Sequence, residues 1–263
     1  MDGFAMVRSF DEAGYYETRV ILMILALFIA LFFYFKKDDR NYIIIFISST
    51  IFFGIVELIM FSLGMRAEAW RLIVFGVEIP TSISWLFQGL GEGAPYGVAG
   101  FLLLDMYLKH DIASEFKLRR NLFLFDMIIV FLCGIIVGIL ARNNPITSVR
   151  SMFGVVTILY LSLVIIISLL LAKFLCGEGF MKYLGYYLIG SFIFIVVNLE
   201  PMHILGARYI GVVQPNGNII YADPIYQVVI MLYSYVIEIT IPRAHYLAVP
   251  VALKIMKLEK ISL

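Results

Sequence analysis

Three glutamates, Glu57, Glu92 and Glu200, stand inside runs otherwise built of Ile, Leu, Val and Phe, and the last belongs to the stretch NLEPMH at 198–203. An acidic side chain in hydrocarbon costs at least ~2.5 kcal/mol, so such groups normally face a cavity or a partner. A helical rise of about 1.5 Å per residue sorts them by depth: Glu57 and Asn198 lie about 22 Å from one bilayer boundary, Glu200 about 25 Å, and Glu92 about 16 Å from the other. Gln88 sits one turn above Glu92 on the same face, and His203 falls near the edge. These residues share the outer half of the bilayer. Carboxyls that converge in low dielectric do not all ionise. A neutral carboxylic acid beside an ionised one can protonate a double bond or an ether oxygen.

That chemistry belongs to isomerases, cyclases and hydratases of lipid-soluble, isoprenoid-like compounds. In this reading Glu92 is the acid, Glu57 and Glu200 are its ionised partners or base, and Asn198 is an orienting group. Gln88, Trp85, Tyr96, His203, Tyr226 and Gln227 are the substrate-binding candidates, with aromatic faces able to steady a cationic intermediate. Gln88, Tyr226 and Gln227 serve equally as helix–helix hydrogen bonds. A thinner inner polar layer is expected from Glu238 and Asp126, bridged by Tyr233 and Tyr235.

Other chemistries fit less well. Glu200 and His203, at i and i+3, have the spacing of carboxylate-bridged metal bundles. A two-metal site needs a second Glu-x-x-His, which the chain does not contain, so a single divalent ion on mixed carboxylates and one histidine is the most the pattern allows. A broken central helix with a midplane carboxylate also suits a proton- or cation-coupled transporter. Seven spans give the topology of a heptahelical receptor, but the last span has no Lys, which excludes a retinal Schiff base there. The cofactor is otherwise open. Depth counting along the spans predicts no Ser or Cys flanked by a His at the same depth, as nucleophilic catalysis would require.

The elements that must position these groups follow from composition. Of 263 residues 62% are hydrophobic and 15% charged, where a soluble domain has about 25% charged. The class is therefore an integral, polytopic, all-α membrane protein. A net charge of +1 gives no argument for nucleic acid, and the expected partners are membrane lipids and an apolar small molecule or ion. Seven stretches are long enough to span, near 19–36, 42–63, 81–108, 121–141, 151–173, 183–205 and 224–245. With the N-terminus outside and the C-terminus in the cytoplasm, every lysine falls on the inner side.

Residues 1–18 then form an extracytoplasmic segment, 19–245 a seven-helix domain, and 246–263 a cytoplasmic amphipathic tail whose Lys254, Lys257 and Lys260 share one helical face. In the third span, WLFQGLGEGAPYGVAG carries Gly89, Gly93 and Gly97 at intervals of four, a face for close helix approach. Pro95 removes a donor, so this helix should kink or open near 89–97. Residues 64–80, with Trp70 as an anchor, should lie along the outer interface as a roof. Residues 209–222, alternating around Asn216-Gly217, should form a small outer β-hairpin.

Overall fold

A chain crossing hydrocarbon must satisfy its backbone polar groups within itself, and uninterrupted apolar runs do so as helices. The computed structural model describes residues 3–10, 13–62, 72–177 and 179–258. It is mainly helical, with six helices long and apolar enough to cross a membrane: α1 (Tyr15–Lys37), α2 (Asn41–Ser62), α5 (Ala113–Ala141), α6 (Val155–Leu175), α7 (Phe180–Ile204), and a composite run from Pro224 to Ala252. The third span is a further composite, α3 (Thr81–Gln88) and α4 (Ala94–Leu108) joined through a π-helical segment at Gly89–Gly93. The last composite contains α8 (Pro224–Tyr233), a π segment (Ser234–Thr240), a 3-10 turn (Ile241–Arg243) and α9 (Ala244–Ala252).

Both π segments end two residues before a proline, Pro95 or Pro242. In the first, the Ala94 N–H reaches back five residues to the Gly89 carbonyl; in the second, Ile241 reaches Val236. The wider turn resets the register, so each proline falls in the first turn of the following helix, where a missing N–H costs nothing. The expected break at 89–97 is thus a widened turn in a continuous helix. The Gly89, Gly93 and Gly97 face lies on α2: a Cβ at these positions would collide with the Thr50 carbonyl, the Ser49 carbonyl and the Ser49 hydroxyl respectively. α4, buried almost throughout, packs against α1, α2, α5 and α7 and is the central helix.

The expected two-stranded hairpin is half of a larger sheet. Four antiparallel strands run in the order β4 (Ser148–Ser151), β1 (Phe4–Arg8), β5 (Arg208–Val213), β6 (Ile219–Tyr221). The N-terminal segment, for which the sequence reading names no strand, supplies an inner strand. A separate hairpin, β2 (Leu72–Val74) and β3 (Val77–Ile79), turns at Phe75 and Gly76, both at positive φ, and the Phe75 N–H donates to the Glu17 carboxylate at 2.8 Å. Residues 63–71, including the anchor Trp70, lie outside the described residues. All the strands gather at the end of the bundle where α1 begins.

The opposite end corrects one expectation. The chain leaves α9 at Ala252, Lys254 takes positive φ, and Ile255 and Met256 both donate to the Pro250 carbonyl. Met256 turns into the core and the Lys257 carbonyl accepts from Asn41, so residues 253–258 wrap against the bundle instead of forming an interfacial helix. Lys260 falls outside the described residues. Asp105 is 3% exposed and accepts from Tyr42 and Arg119, a clamp joining α2, α4 and α5.

Candidate functional site

Strand alternation begins the site. Met6 and Arg8 share one face of β1 because side chains alternate with period two. The register extends that face: Arg8 stands opposite Arg208 on β5, and Met6 opposite Arg150 on β4. This inner face covers a cavity of about 130 Å3 between sheet and helices, lined by Arg8, Arg150 and Arg208 on the sheet side.

The helices furnish the remaining walls. α2 contributes Glu57 with Phe53, Val56 and Met60. The first π segment contributes Glu92 and the second Glu238, flanked by Gln88 and Tyr96 and by Ile239, Pro242 and Arg243. Extra turns of this kind re-aim side chains and recur at functional sites. α6 presents Thr157, Tyr160, Leu161 and Val164, the i, i+3, i+4, i+7 set of one helical face.

The charges are only partly matched. Arg150 donates to Glu238 at 2.7 Å, and the Ser234 hydroxyl donates to the same oxygen at 2.8 Å. The other Glu238 oxygen is buried with no hydrogen-bond partner among the described residues. Arg208 donates to the Met6 sulfur at 3.1 Å and the Ser234 oxygen at 3.2 Å, and lies over the Tyr235 ring. Burial pushes the Arg208 guanidinium below its usual pKa, opposed by Tyr235 and aided by the charges of Arg8 and Arg150. An arginine still keeps its charge under such pressure. Glu92 accepts from the Tyr15 hydroxyl at 2.9 Å and lies 3.9 Å from Arg19, which in turn donates to Asn198 at 2.9 Å. Arg243 lies 4.1 Å over Tyr96 inside the bundle.

The structure brings Glu57, Gln88, Glu92 and Tyr96 to one cavity and leaves other candidates outside its lining. Asn198, fully buried, holds Arg19 from behind and donates to the Val130 carbonyl. Glu200 accepts from Tyr235 at 2.9 Å, and the His203 ring bonds the Arg208 carbonyl at 3.1 Å. Their i, i+3 spacing thus serves two separate contacts. Among the described residues no three His, Cys, Asp or Glu side chains converge as metal ligands would. Gln227 is a clamp: its amide exchanges two hydrogen bonds with the Ile210 backbone, fastening the last span to β5. Tyr226 packs on Phe4 at the surface, and Trp85 lies against Gly54 with its N–H on the Ser82 carbonyl.

The inner polar layer does not form. Glu238, on the second π segment, lines the same cavity as Glu92 and meets Arg150 of β4 there. Tyr235 reaches Glu200, Tyr233 packs on Phe153, and Asp126 is buried apart from the cavity with no bonded partner among the described residues. Depth counting along separate helices could not show that β4 descends onto the last span.

Sequence reasoning missed the arginines. The sequence reading gives Arg8, Arg19, Arg150 and Arg208 no part in the site. One signal was available: all four lie on the side where the lysines do not, and Lys is the commoner residue for plain headgroup contact. No family model, curated protein or solved structure matches this chain.

Proposed function

We propose that this membrane protein takes the polar end of a lipid-soluble substrate into the cavity and performs proton transfer on it. The observation that carries the reading is the meeting of Glu57 and Glu92 with an apolar wall from α2 and α6 in one cavity beneath the sheet. The two roles expected from sequence are exchanged: the Tyr15 hydroxyl and Arg19 beside Glu92 favour its carboxylate form and so support it as the base, and Glu57, across the cavity, is the donor. Asn198 is a positioning residue acting through Arg19. The distribution of lysines puts the sheet end on the extracytoplasmic side.

The experiment has two steps. Lipid extracted from purified protein should contain a species enriched over bulk membrane lipid. Reconstituted protein should convert it, and both Glu57→Gln and Glu92→Gln should lose turnover by about 100-fold or more, the typical value of one general acid or base. Full activity in either variant removes the role assigned to that residue.

One observation favours a second reading, a coupled carrier. A cavity of about 340 Å3 opens at the opposite end, lined by Lys37, Asp39, Asp105 and Arg119. A carrier predicts pH-dependent uptake into proteoliposomes that is lost in Asp105→Asn as well as in Glu92→Gln. An enzyme predicts no uptake.

A further inference from the structure

The inner face of the sheet gathers three arginines at adjoining register positions. Arg8 and Arg208 stand directly opposite one another on adjacent antiparallel strands, a position where like charges weaken pairing. Arg150 joins them from the strand on the other side of β1, and all three line the cavity. Glu238 answers Arg150. Arg208, 2% exposed, has a sulfur and a hydroxyl as its hydrogen-bond acceptors. The Nε of Arg8 is buried with no hydrogen-bond partner among the described residues. Buried charges are normally paired. Among the described residues, Arg8 and Arg208 have no carboxylate bonded to them and stand beside a third arginine that shares one, while Glu57 and Glu92 line the helix side of the same cavity, so the unmatched positive charge is concentrated on the sheet side.

We propose that Arg8, Arg150 and Arg208 bind the phosphate group of a lipid monophosphate whose apolar chain lies between α2 and α6. The proposal rests on the cavity's being the substrate site and names the headgroup it takes. A carboxylate offers two oxygens and one charge, which a single arginine satisfies. A phosphate monoester offers three terminal oxygens and nearly two charges, which suits three guanidiniums arriving from three strands. The lipid half follows from the helices. Thr157, Tyr160, Leu161 and Val164 of α6 face Val56 and Met60 of α2 across the cavity. Both helices pack on α9 while barely touching one another. α6 is the least enclosed span, with 11% of its apolar window buried against 33% or more in the other five. A chain can therefore pass from the cavity into the bilayer while the headgroup stays on the arginines.

The test is thermal unfolding of the purified full chain in detergent with farnesyl phosphate, farnesol or inorganic phosphate as probes. Farnesyl phosphate should raise the midpoint saturably, and farnesol at equal concentration should not. Arg8→Gln and Arg150→Gln should each weaken the apparent affinity roughly tenfold or more, the effect of one lost charge-assisted hydrogen bond. Inorganic phosphate acting as strongly as farnesyl phosphate, with the same arginine dependence, would support the anion site and assign it to the free ion. Farnesol acting as strongly as farnesyl phosphate, or an unchanged shift in both variants, overturns the proposal. Because Arg208 is buried in the core, the conclusion rests on the two less buried arginines, with unliganded melting of each as the folding control. The readout is binding, so its failure leaves the proton-transfer reading to stand or fall on turnover in Glu57→Gln.

Discussion

Arg19 shows how a single buried charge organises its surroundings. It is 1% exposed, bonds Asn198 of α7, faces Glu92 of the third span and stacks 4.1 Å over Tyr15. Three helices are tied through one guanidinium. Replacing one member of a buried pair strands the other and costs about 3–5 kcal/mol. Arg19→Met should therefore lower stability by that amount, while Glu92→Gln in the Arg19→Met background should recover part of it by removing the stranded carboxylate. Chemical denaturation in mixed micelles checks this, and strictly additive effects would show that the two residues do not interact. The acids were legible in the sequence because a Glu inside an apolar run needs a cavity or a partner: Glu57 and Glu92 meet the cavity, and Glu200 meets Tyr235. Arg19 was not, because it stands at the edge of its apolar run, where an arginine ordinarily meets headgroups. Only the start of α1 at Tyr15, a turn earlier than hydropathy alone implies, carries it into the bundle.

Among the elements, the third span repays its odd composition. Its glycines admit α2, so Gly93→Ala would drive a methyl group into the Ser49 carbonyl and Phe53, an overpacking that costs about 1–3 kcal/mol. Gly185 of α7 has open space around the same position, so Gly185→Ala should gain up to about 1 kcal/mol from helix propensity. Melting curves of the two variants should move in opposite directions; equal losses would mean that the glycine face is not the contact. The spacing GLGEGAP made this face readable, and the Asn-Gly turn made β5 and β6 readable. The other half of the sheet was hidden by its reach. β1 pairs with β4 and β5 some 140 and 200 residues away, and no local pattern in FAMVR or SVRS encodes such partners. The arginine site was hidden with it, because its members meet only through that register. Strand pairing also supplies a test of purpose. If Arg8 serves a ligand and not the fold, Arg8→Gln without ligand should be as stable as the natural chain or more stable by about 0.2–1 kcal/mol, since a cross-strand repulsion is relieved. A clear loss in unliganded melting would make Arg8 a structural residue.

On the scale of the whole molecule, the sheet closes one end of the bundle while α6 leaves its side loosely sealed. The polar end of the cavity is formed by strands, whose register holds the charges, and the apolar side by two helices that scarcely touch. This division predicts the route of entry. A lipid should arrive sideways between α2 and α6, and a soluble ion should not need that gap. With Cys133→Ala and Cys176→Ala as background, Val56→Cys and Leu161→Cys place one thiol on each wall, and a short bifunctional thiol reagent would bridge them. Bridging should slow the uptake of farnesyl phosphate from micelles by an order of magnitude or more while leaving the binding of inorganic phosphate unchanged, because closing a gate raises the barrier to entry without touching the headgroup contacts. Equal uptake before and after bridging, with the cross-link verified by mass, would place the entrance at the sheet end and make the looseness of α6 a matter of lipid contact alone.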